Sequence, residues 1–86
     1  MIYQVTFRPE TEQDFERLDA KMAQRILWKI KWLSENFELI IPQPLKGRWK
    51  GKFKLRVGDY RVIYSVDEEE KRITVHMAGH HRDIYR

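Results

Sequence analysis

The stretch KGRWKGKFKLRVGDYRVIY, residues 46–64, decides the fold of this chain. From position 46 to position 56 every second residue is a cation, and no acidic residue interrupts the run. Side chains two residues apart in a strand point to the same face. Wherever this stretch is a strand, its cations therefore share one face, and Phe53, Leu55 and Val57 share the other. We call the alternating cations the basic stripe; they are Lys46, Arg48, Lys50, Lys52, Lys54 and Arg56.

The second half of the stretch predicts a hairpin. Gly58-Asp59 is typical of a tight turn, and the residues from Tyr60 to Val66 then form the returning strand. If its tyrosines and Val62 share the core face, Arg61 joins the basic stripe on the opposite face. A concentrated positive surface on a rigid sheet predicts a polyanionic ligand. The alternative is an exposed edge strand whose lysines prevent aggregation, but the number of cations and the addition of Arg61 favour a ligand.

The sequence before the basic stripe predicts a strand and two helices. The residues from Ile2 to Phe7 are rich in strand formers and predict the first strand. Arg8-Pro9 ends that strand and begins a short helix, which ends near Asp19. Asp19 then caps a second helix, which extends from about Ala20 to Asn36.

The second helix carries an apolar stripe and a separate aromatic pair. The apolar stripe, which Leu27 widens, consists of Met22, Ile26, Ile30, Leu33 and Phe37. Its three- and four-residue spacing predicts burial against the sheet. Trp28 and Trp32 are four residues apart and therefore share a face. They either cover the rim of the core or bind a partner protein, and the sequence leaves both possibilities open.

The remaining segments complete the element order β-α-α-β-β-β. Pro42 and Pro44 predict a loop between the second helix and the basic stripe. The acidic residues 67–71 predict a hairpin connection, and the alternating residues from Arg72 to Met77 predict the last strand. We therefore expect one α+β domain over residues 1–86. It is an antiparallel sheet with two helices packed on one face, and the basic face is open.

The composition excludes several classes of protein. The chain has 86 residues and no cysteine, which excludes disulfide frameworks and thiolate metal sites. No apolar run approaches the roughly 20 residues that span a membrane, so no membrane association is predicted and a cytoplasmic protein is expected. Residues 1–45 carry six Lys/Arg and seven Asp/Glu, whereas residues 46–86 carry eleven and six. This asymmetry predicts binding to a nucleic acid or to an acidic protein.

Candidate reactive side chains lie after the last strand. His80 and His81 are adjacent, which makes it difficult for both to bind one metal, and no carboxylate completes a metal-ligand spacing. We therefore predict neither a metal nor another cofactor. One of the two can serve as a proton donor or a phosphate contact, or both are ordinary exposed side chains. Tyr85 either packs on the sheet or stacks on a nucleic-acid base.

Two motifs resemble a known family. They are K-F-K-L-R-V-G-D-Y-R-V-I-Y, residues 52–64, and G-H-H-R-D-I-Y, residues 79–85. Both are similar to motifs of the RelE/ParE superfamily of toxins from toxin–antitoxin systems. Its RelE branch, which the chain resembles more, comprises ribosome-dependent mRNA interferases that enter the ribosomal A site and cut mRNA without a metal. Its ParE branch has the same fold and poisons DNA gyrase. The resemblance implies a RelB-like antitoxin with an acidic segment, which we expect to cover the open face.

The resemblance to the RelE branch also implies a set of site residues. Lys52 and Lys54 match its catalytic lysine pair, Arg61 its strand arginine and Tyr85 its terminal tyrosine. A further basic catalytic residue falls at His81 or Arg82, and a histidine there can act as general acid. The other cations are expected to bind RNA; they are Lys46, Arg48, Lys50, Arg56 and Arg82. The competing interpretations are a gyrase inhibitor without chemistry of its own, which does not need this set, and a plain nucleic-acid-binding domain or a degenerate toxin kept for its antitoxin complex.

Overall fold

The computed structural model describes residues 2–84. The strands are β1 (Gln4–Phe7), β2 (Gln43–Pro44), β3 (Phe53–Val57), β4 (Tyr60–Asp67) and β5 (Arg72–His80). The helices are α1 (Thr11–Glu16), α2 (Ala20–Asn36) and α3 (His81–Ile84), and single 3₁₀ turns lie at Phe37–Leu39 and Gly47–Trp49. The α+β class and the predicted element order are confirmed, with β2 and α3 as short additions. Within the described residues no helix is long and apolar enough to cross a membrane.

The five strands form one sheet in the order β1-β5-β4-β3-β2. β3, β4 and β5 form the predicted antiparallel meander, and β2 pairs antiparallel with β3. We expected an antiparallel sheet, but β1 runs parallel to its neighbour β5. The chain passes through two helices after β1, and a long connection of this kind is what parallel neighbours require.

α2 covers one face of the sheet with its predicted apolar stripe. Ile26, Ile30 and Leu33 are at most 3% exposed and join the core residues of the sheet. Full burial of each such side chain contributes about 1.5–3 kcal/mol. The carboxylate of Asp19 accepts a hydrogen bond from the Met22 backbone nitrogen at 2.8 Å, which confirms the predicted cap. Leu27 does not widen the buried stripe as predicted. It is 45% exposed, because it lies about 100° around the helix from Ile26.

The first half of the basic stripe is a loop, not a strand. Gly47 and Gly51 have φ angles of +65° and +88°, a left-handed conformation that interrupts an extended strand. The strand begins only at Phe53, so the alternation of faces applies from that residue onward. Alternation therefore does not place Lys46, Arg48 and Lys50 on the face that Lys54 and Arg56 share.

The segment with Pro42 and Pro44, predicted as a loop, contains the two-residue strand β2. Gln43 pairs with Lys54, and Pro44 pairs with Phe53. Because β2 is the outermost strand, the missing N–H of Pro44 removes no hydrogen bond from the interior of the sheet. The proline pattern therefore excludes a central strand but not this short edge strand.

The face of the sheet opposite α2 is only partly open. Ile63 is 0% exposed although it shares that face with its register partner Lys54. Ile84 is 1% exposed, and its Cγ1 atom would lie 3.9 Å from a Cβ built on Gly79, the partner of Arg61 on the same face. α3 therefore covers the end of this face formed by β4 and β5, and the cations of β3 and β4 lie beside an apolar patch.

Candidate functional site

The β3–β4 hairpin brings the predicted cations together. Its register pairs Lys54 with Ile63 and Arg56 with Arg61, whereas Phe53 pairs with Tyr64 on the core face. Directly opposite residues of an antiparallel pair share one face, so Arg61 joins Lys54 and Arg56 as predicted. Lys52 lies one residue before β3, and both lysines are half-buried.

The side chains of Arg56 and Arg61 both form hydrogen bonds with the turn of this hairpin. Gly58 has a φ angle of +61°, which glycine adopts without the penalty of a Cβ atom. Its carbonyl oxygen accepts hydrogen bonds from Arg56 Nε at 3.3 Å and from Arg61 Nη1 at 3.1 Å. Arg61 Nη1 also donates to the carbonyl oxygen of Tyr60 at 3.1 Å. The two guanidinium groups are thereby fixed beside each other on one face.

Among the residues that the structure describes, no acid forms an ion pair with Arg56 or Arg61. Like charges directly opposite each other on neighbouring strands destabilise the sheet. Arg61 Nε is buried, and it has no hydrogen-bond acceptor within the part of the chain that the structure describes. Guanidinium groups bind phosphate oxygens through planar, paired hydrogen bonds. The pair of Arg56 and Arg61 therefore suits a phosphate.

The same turn orients His81. The Asp59 carbonyl oxygen accepts a hydrogen bond from the His81 backbone nitrogen at 3.0 Å and lies 3.2 Å from His81 Nδ1. A carbonyl oxygen only accepts, so this contact assigns the proton to Nδ1. Nε2 is then the ring atom left to exchange a proton with a ligand. Adjacent carbonyls of a single turn thus hold Arg56, Arg61 and His81.

The structure adds His76, for which the sequence indicated no role. Its Nε2 atom lies 2.7 Å from the Ser65 hydroxyl oxygen, on the face that carries Lys54 and Arg61. Partial burial lowers the pKa of His76, the positive charges of Lys52 and Arg8 lower it further, and Glu10 acts in the opposite direction. Strand alternation between Arg72 and Met77 predicts the open face for His76, and the contact with Ser65 agrees with that prediction.

The other predicted site residues lie apart from this cluster. Lys46 and Lys50 are exposed in the loop before β3. Arg48 Nη2 donates to the carbonyl oxygen of Ile84 at 3.3 Å, which ties that loop to α3. Arg82 is exposed on α3, and its backbone nitrogen donates to His80 Nδ1 at 3.2 Å. Tyr85 lies outside the described residues. Residues 2–84 contain no group of three or more His, Asp or Glu side chains that could hold a metal ion.

Comparisons with known proteins match toxins of toxin–antitoxin systems, under both ParE and RelE names. Residues 5–85 match the family model described as ParE toxin of type II toxin–antitoxin system, parDE. Toxin RelG of Mycobacterium tuberculosis (strain ATCC 25618 / H37Rv) is 27% identical over 86 residues, which cover 100% of this chain and 99% of that protein. A putative RelE-like toxin protein of Escherichia coli is 29% identical over 92 residues, 99% and 92% of the two chains.

A solved structure shows the same architecture. In the crystal structure of the toxin–antitoxin complex RelBE2 from Mycobacterium tuberculosis, one chain superposes with a TM-score of 0.83 and is 25% identical. The match covers 93% of this chain and 92% of that chain. The likeness therefore extends over nearly the whole of both chains and includes the hairpin that carries the cations.

Proposed function

We propose that this chain, which belongs to the family of ParE toxins of type II toxin–antitoxin systems and is RelE-like, is a ribosome-dependent mRNA interferase. In this role it is an endoribonuclease that needs no metal. The observation that carries the proposal is the group of cations and one histidine held by the carbonyls of the β3–β4 turn. Such a group can stabilise a phosphate in reaction and exchange a proton next to it.

Cleavage of RNA by its own 2′-hydroxyl has three requirements. A base removes the 2′ proton, positive groups neutralise the charge that develops on the phosphate, and an acid protonates the leaving 5′-oxygen. The 2′-oxygen forms a bond to phosphorus while the bond from phosphorus to the 5′-oxygen breaks. The products are a 2′,3′-cyclic phosphate and a 5′-hydroxyl. No other co-reactant is needed.

Each of these three requirements is assigned to particular residues of the site. Arg56 and Arg61 contact the phosphate, because their guanidinium groups are fixed beside each other and stay charged at all relevant pH values. His81 donates the proton to the leaving oxygen from Nε2, the atom that its bond to Asp59 leaves available. One of Lys52 and Lys54 supplies further positive charge, and the other, as the neutral amine, accepts the 2′ proton. Tyr85 stacks on a base or assists proton transfer.

The ribosome supplies what this site lacks. The basic face of the sheet is partly covered by α3, and its residues do not align the 2′-oxygen with phosphorus on their own. In-line alignment is worth a large part of the barrier in such reactions. Messenger RNA held in the ribosomal A site is already positioned, and we therefore expect poor cleavage of free RNA. This role places the protein in the cytoplasm.

The partner in the cell is an antitoxin. RelBE2 is a toxin–antitoxin complex, and its likeness to this chain supports a RelB-like partner here. We propose that an acidic segment of the antitoxin covers Lys54 and the arginines and excludes RNA by direct occlusion. Because part of that attraction is electrostatic, added salt should weaken the complex.

A purified translation system tests the proposal. The toxin is added to ribosomes programmed with a defined message, and primer extension maps any new 5′ ends. We expect cuts in ribosome-bound mRNA and few cuts in the same RNA without ribosomes. If the message stays intact while the protein inhibits DNA supercoiling by gyrase, the chain is a gyrase inhibitor and the cations only bind.

A further inference from the structure

Two surfaces lie outside the cluster of cations at the β3–β4 turn. The first is a groove of about 630 Å³ beside α2, and its lining includes Trp28, Trp32, Lys21, Arg25 and Lys29. Trp28 is 68% exposed, so the sequence interpretation in which it covers the rim of the core is wrong. Because α2 packs on the face of the sheet opposite Lys54 and Arg61, this groove lies on a different side of the molecule from RNA bound to those cations.

The second surface is a row of polar side chains on the same face of the sheet as Lys54 and Arg61. Ser65 pairs with Thr74 across β4 and β5, and Thr74 pairs with Thr6 across β5 and β1. His76 Nε2 lies 2.7 Å from Ser65 Oγ, and the hydroxyl oxygens of Thr6 and Thr74 lie 3.1 Å apart. Register partners share one face of a sheet, so the row crosses three strands. None of these side chains has a task in the proposed cleavage.

Lys52 joins this row to the cations of β3. In the register of the β3–β4 hairpin Phe53 is opposite Tyr64, so the preceding residue, Lys52, comes opposite Ser65. Burial lowers the pKa of His76, and the positive charge of Lys52 lowers it further, which agrees with a position of Lys52 close to the ring. The polar row therefore begins where the cations of β3 end. An RNA strand bound to the cations can continue over Ser65 and His76.

The pair of Ser65 and His76 lies too far from Arg61 to act on the phosphate that Arg61 binds. Ser65 is four residues from Arg61 along β4, which corresponds to about 13 Å in an extended strand. A general base has to lie within hydrogen-bond reach of the 2′-hydroxyl that attacks phosphorus. The pair is therefore not the base of this reaction. What it can contact is another nucleotide of the same RNA strand.

The hydrogen-bonding capacity of the pair matches a ribose hydroxyl. Because its pKa is lowered, the His76 ring is neutral at pH 7, and one of its nitrogens donates while the other accepts. If Ser65 donates to Nε2, its oxygen can still accept and Nδ1 donates. In the other tautomer the Ser65 hydroxyl donates and Nδ1 accepts. Either way the pair offers one donor and one acceptor, as a 2′-hydroxyl does, whereas a phosphate oxygen only accepts.

We propose that Ser65 and His76, beside Lys52, bind the 2′-hydroxyl of a nucleotide that flanks the cleaved bond. The proposal rests on the proposed function and deepens it, because it specifies how the message is held beyond the reacting phosphate. A deoxynucleotide at this position leaves the pair without its partner, so the subsite favours ribose over deoxyribose. Neither residue contacts the reacting atoms, and both act by positioning the strand.

Messages with single 2′-deoxy substitutions test the proposal. Each nucleotide around the mapped cut is changed in turn, except the one whose own 2′-hydroxyl attacks phosphorus, and cleavage on programmed ribosomes is timed. At one flanking position the unsubstituted toxin should cut about 3- to 10-fold more slowly, the range expected for one lost hydrogen bond. Ser65→Ala should slow cleavage of the all-ribose message by a similar factor. The deoxy substitution should then have no further effect on this variant.

Three further variants separate the subsite from a general loss of structure. His76→Leu should lose the sensitivity to the deoxy substitution, as Ser65→Ala does, whereas Ser65→Thr keeps the hydroxyl and should keep the sensitivity. Thr6→Val is the matched control, because it removes a hydroxyl from the same row but lies on β1, outside the pair. It should cut both messages at the rates of the unsubstituted toxin. Circular dichroism melts establish that each variant is folded.

The results on the two messages decide between this proposal and its alternatives. The proposal is overturned if no flanking deoxy substitution slows the unsubstituted toxin, or if Ser65→Ala stays as sensitive as the unsubstituted toxin. An equal response of Thr6→Val overturns the assignment to Ser65 and His76. If an abasic nucleotide at that position, and not a deoxynucleotide, removes the effect of Ser65→Ala, the pair binds a base and the ribose assignment falls.

Binding of short oligonucleotides to the toxin alone distinguishes failure of this proposal from failure of the proposed nuclease function. The affinities for an RNA and for a DNA of the same sequence are measured by fluorescence anisotropy. If mRNA on ribosomes stays intact, but the unsubstituted toxin prefers the RNA and Ser65→Ala loses that preference, the subsite stands and the nuclease function falls. Equal affinities of the unsubstituted toxin for the two oligonucleotides overturn the subsite.

Discussion

The protein has two basic surfaces, and they differ in how their cations are held. At the β3–β4 hairpin, backbone carbonyls bind the guanidinium groups of Arg56 and Arg61 and the ring of His81. In the groove beside α2, the side chains of Lys21 and Arg25 make no hydrogen bond or ion pair with another residue of the described chain. Groups fixed before the reaction stabilise a transition state without reorganisation. Cationic side chains that lack such bonds, around exposed tryptophans, instead suit a surface that adapts to a partner.

The largest expected effect comes from removing a fixed cation. Arg61→Ala should lower the rate of mRNA cleavage on programmed ribosomes by about 10²–10³-fold, as loss of a transition-state contact does elsewhere. Lys54→Ala should act in the same direction. Substitutions at exposed surface positions usually change the free energy of unfolding by about 0.5 kcal/mol or less. Arg61→Ala also removes hydrogen bonds to the carbonyls of Gly58 and Tyr60, each worth about 0.5–1.5 kcal/mol. Activity should still fall far more than thermal stability in both variants.

Lys50→Ala is the matched control for these cations. Lys50 belongs to the same alternating run in the sequence, but it is exposed in the loop before β3. Its removal should change cleavage far less than removal of Arg61. If both variants lose activity equally, the loop cations contact the message, and the distinction between cations bound by backbone carbonyls and exposed cations does not hold.

The next largest effect concerns His81. His81→Gln should lower cleavage by about 100-fold, at the lower end of what general acid–base groups contribute. Rates of mRNA cleavage on programmed ribosomes provide the measurement. Arg82→Gln is the comparison and should lower the rate far less, and if Arg82→Gln alone abolishes cleavage, the neighbouring arginine has the role assigned to His81.

The sequence predicted the elements with a strong local signal. α2 has the predicted bounds because the apolar period and the Asp19 cap agree. The hairpin has the predicted register because Gly58-Asp59 can only be a turn between two alternating strands. These same signals placed Lys54 and Arg61 on one face.

What the sequence could not predict depends on backbone geometry and on long-range packing. The cations before β3 alternate in the sequence, yet Gly47 and Gly51 take positive φ angles, and alternation defines faces only in an extended chain. The side chains of Arg56, Arg61 and His81 bind backbone carbonyls. Every residue has a backbone carbonyl, so no sequence motif indicates these bonds. The cover that α3 gives to the basic face also follows from tertiary packing.

Substitution of the turn glycine tests the anchoring directly. Gly58→Ala should cost about 1–2 kcal/mol of stability, because an L-residue in the left-handed region is strained. The added Cβ would meet only Arg25 Nη2 at 3.8 Å, an ordinary contact. Displacement of the Gly58 carbonyl should also lower the rate of cleavage by about 10-fold through the positions of Arg56 and Arg61.

Gly47→Ala provides the comparison. Its φ angle is +65°, close to the +61° of Gly58, and its Cβ would meet nothing within 4 Å. It should therefore lose similar stability in thermal melts and keep its activity. Equal losses of activity in the two variants would mean that strain alone, and not the position of the turn carbonyl, controls cleavage.

The smallest expected effect is on the pH dependence of stability. The pKa of His76 is lowered in the folded chain, first by burial and then by Lys52 and Arg8, from a reference value of 6.5. Between the lowered pKa and 6.5, the unfolded chain binds a proton that the folded chain does not. The free energy of unfolding is therefore highest above about pH 6.5 and decreases as the pH falls through the folded-state pKa.

His76→Gln keeps a polar partner for Ser65 and removes this titration. Its Tm should fall less than that of the unsubstituted protein between about pH 7.5 and pH 5.5. The difference should stay below roughly 4 °C, the shift that about 1 kcal/mol causes in a domain of this size.

Lys52→Gln removes one cause of the lowered pKa of His76, so it should partly reduce the dependence of the Tm on pH. The groove beside α2 has no histidine among its lining residues, so substitution of Lys21, Arg25 and Lys29 by Glu should leave the dependence of the Tm on pH unchanged. If His76→Gln keeps the pH dependence of the unsubstituted protein, another group takes up the proton.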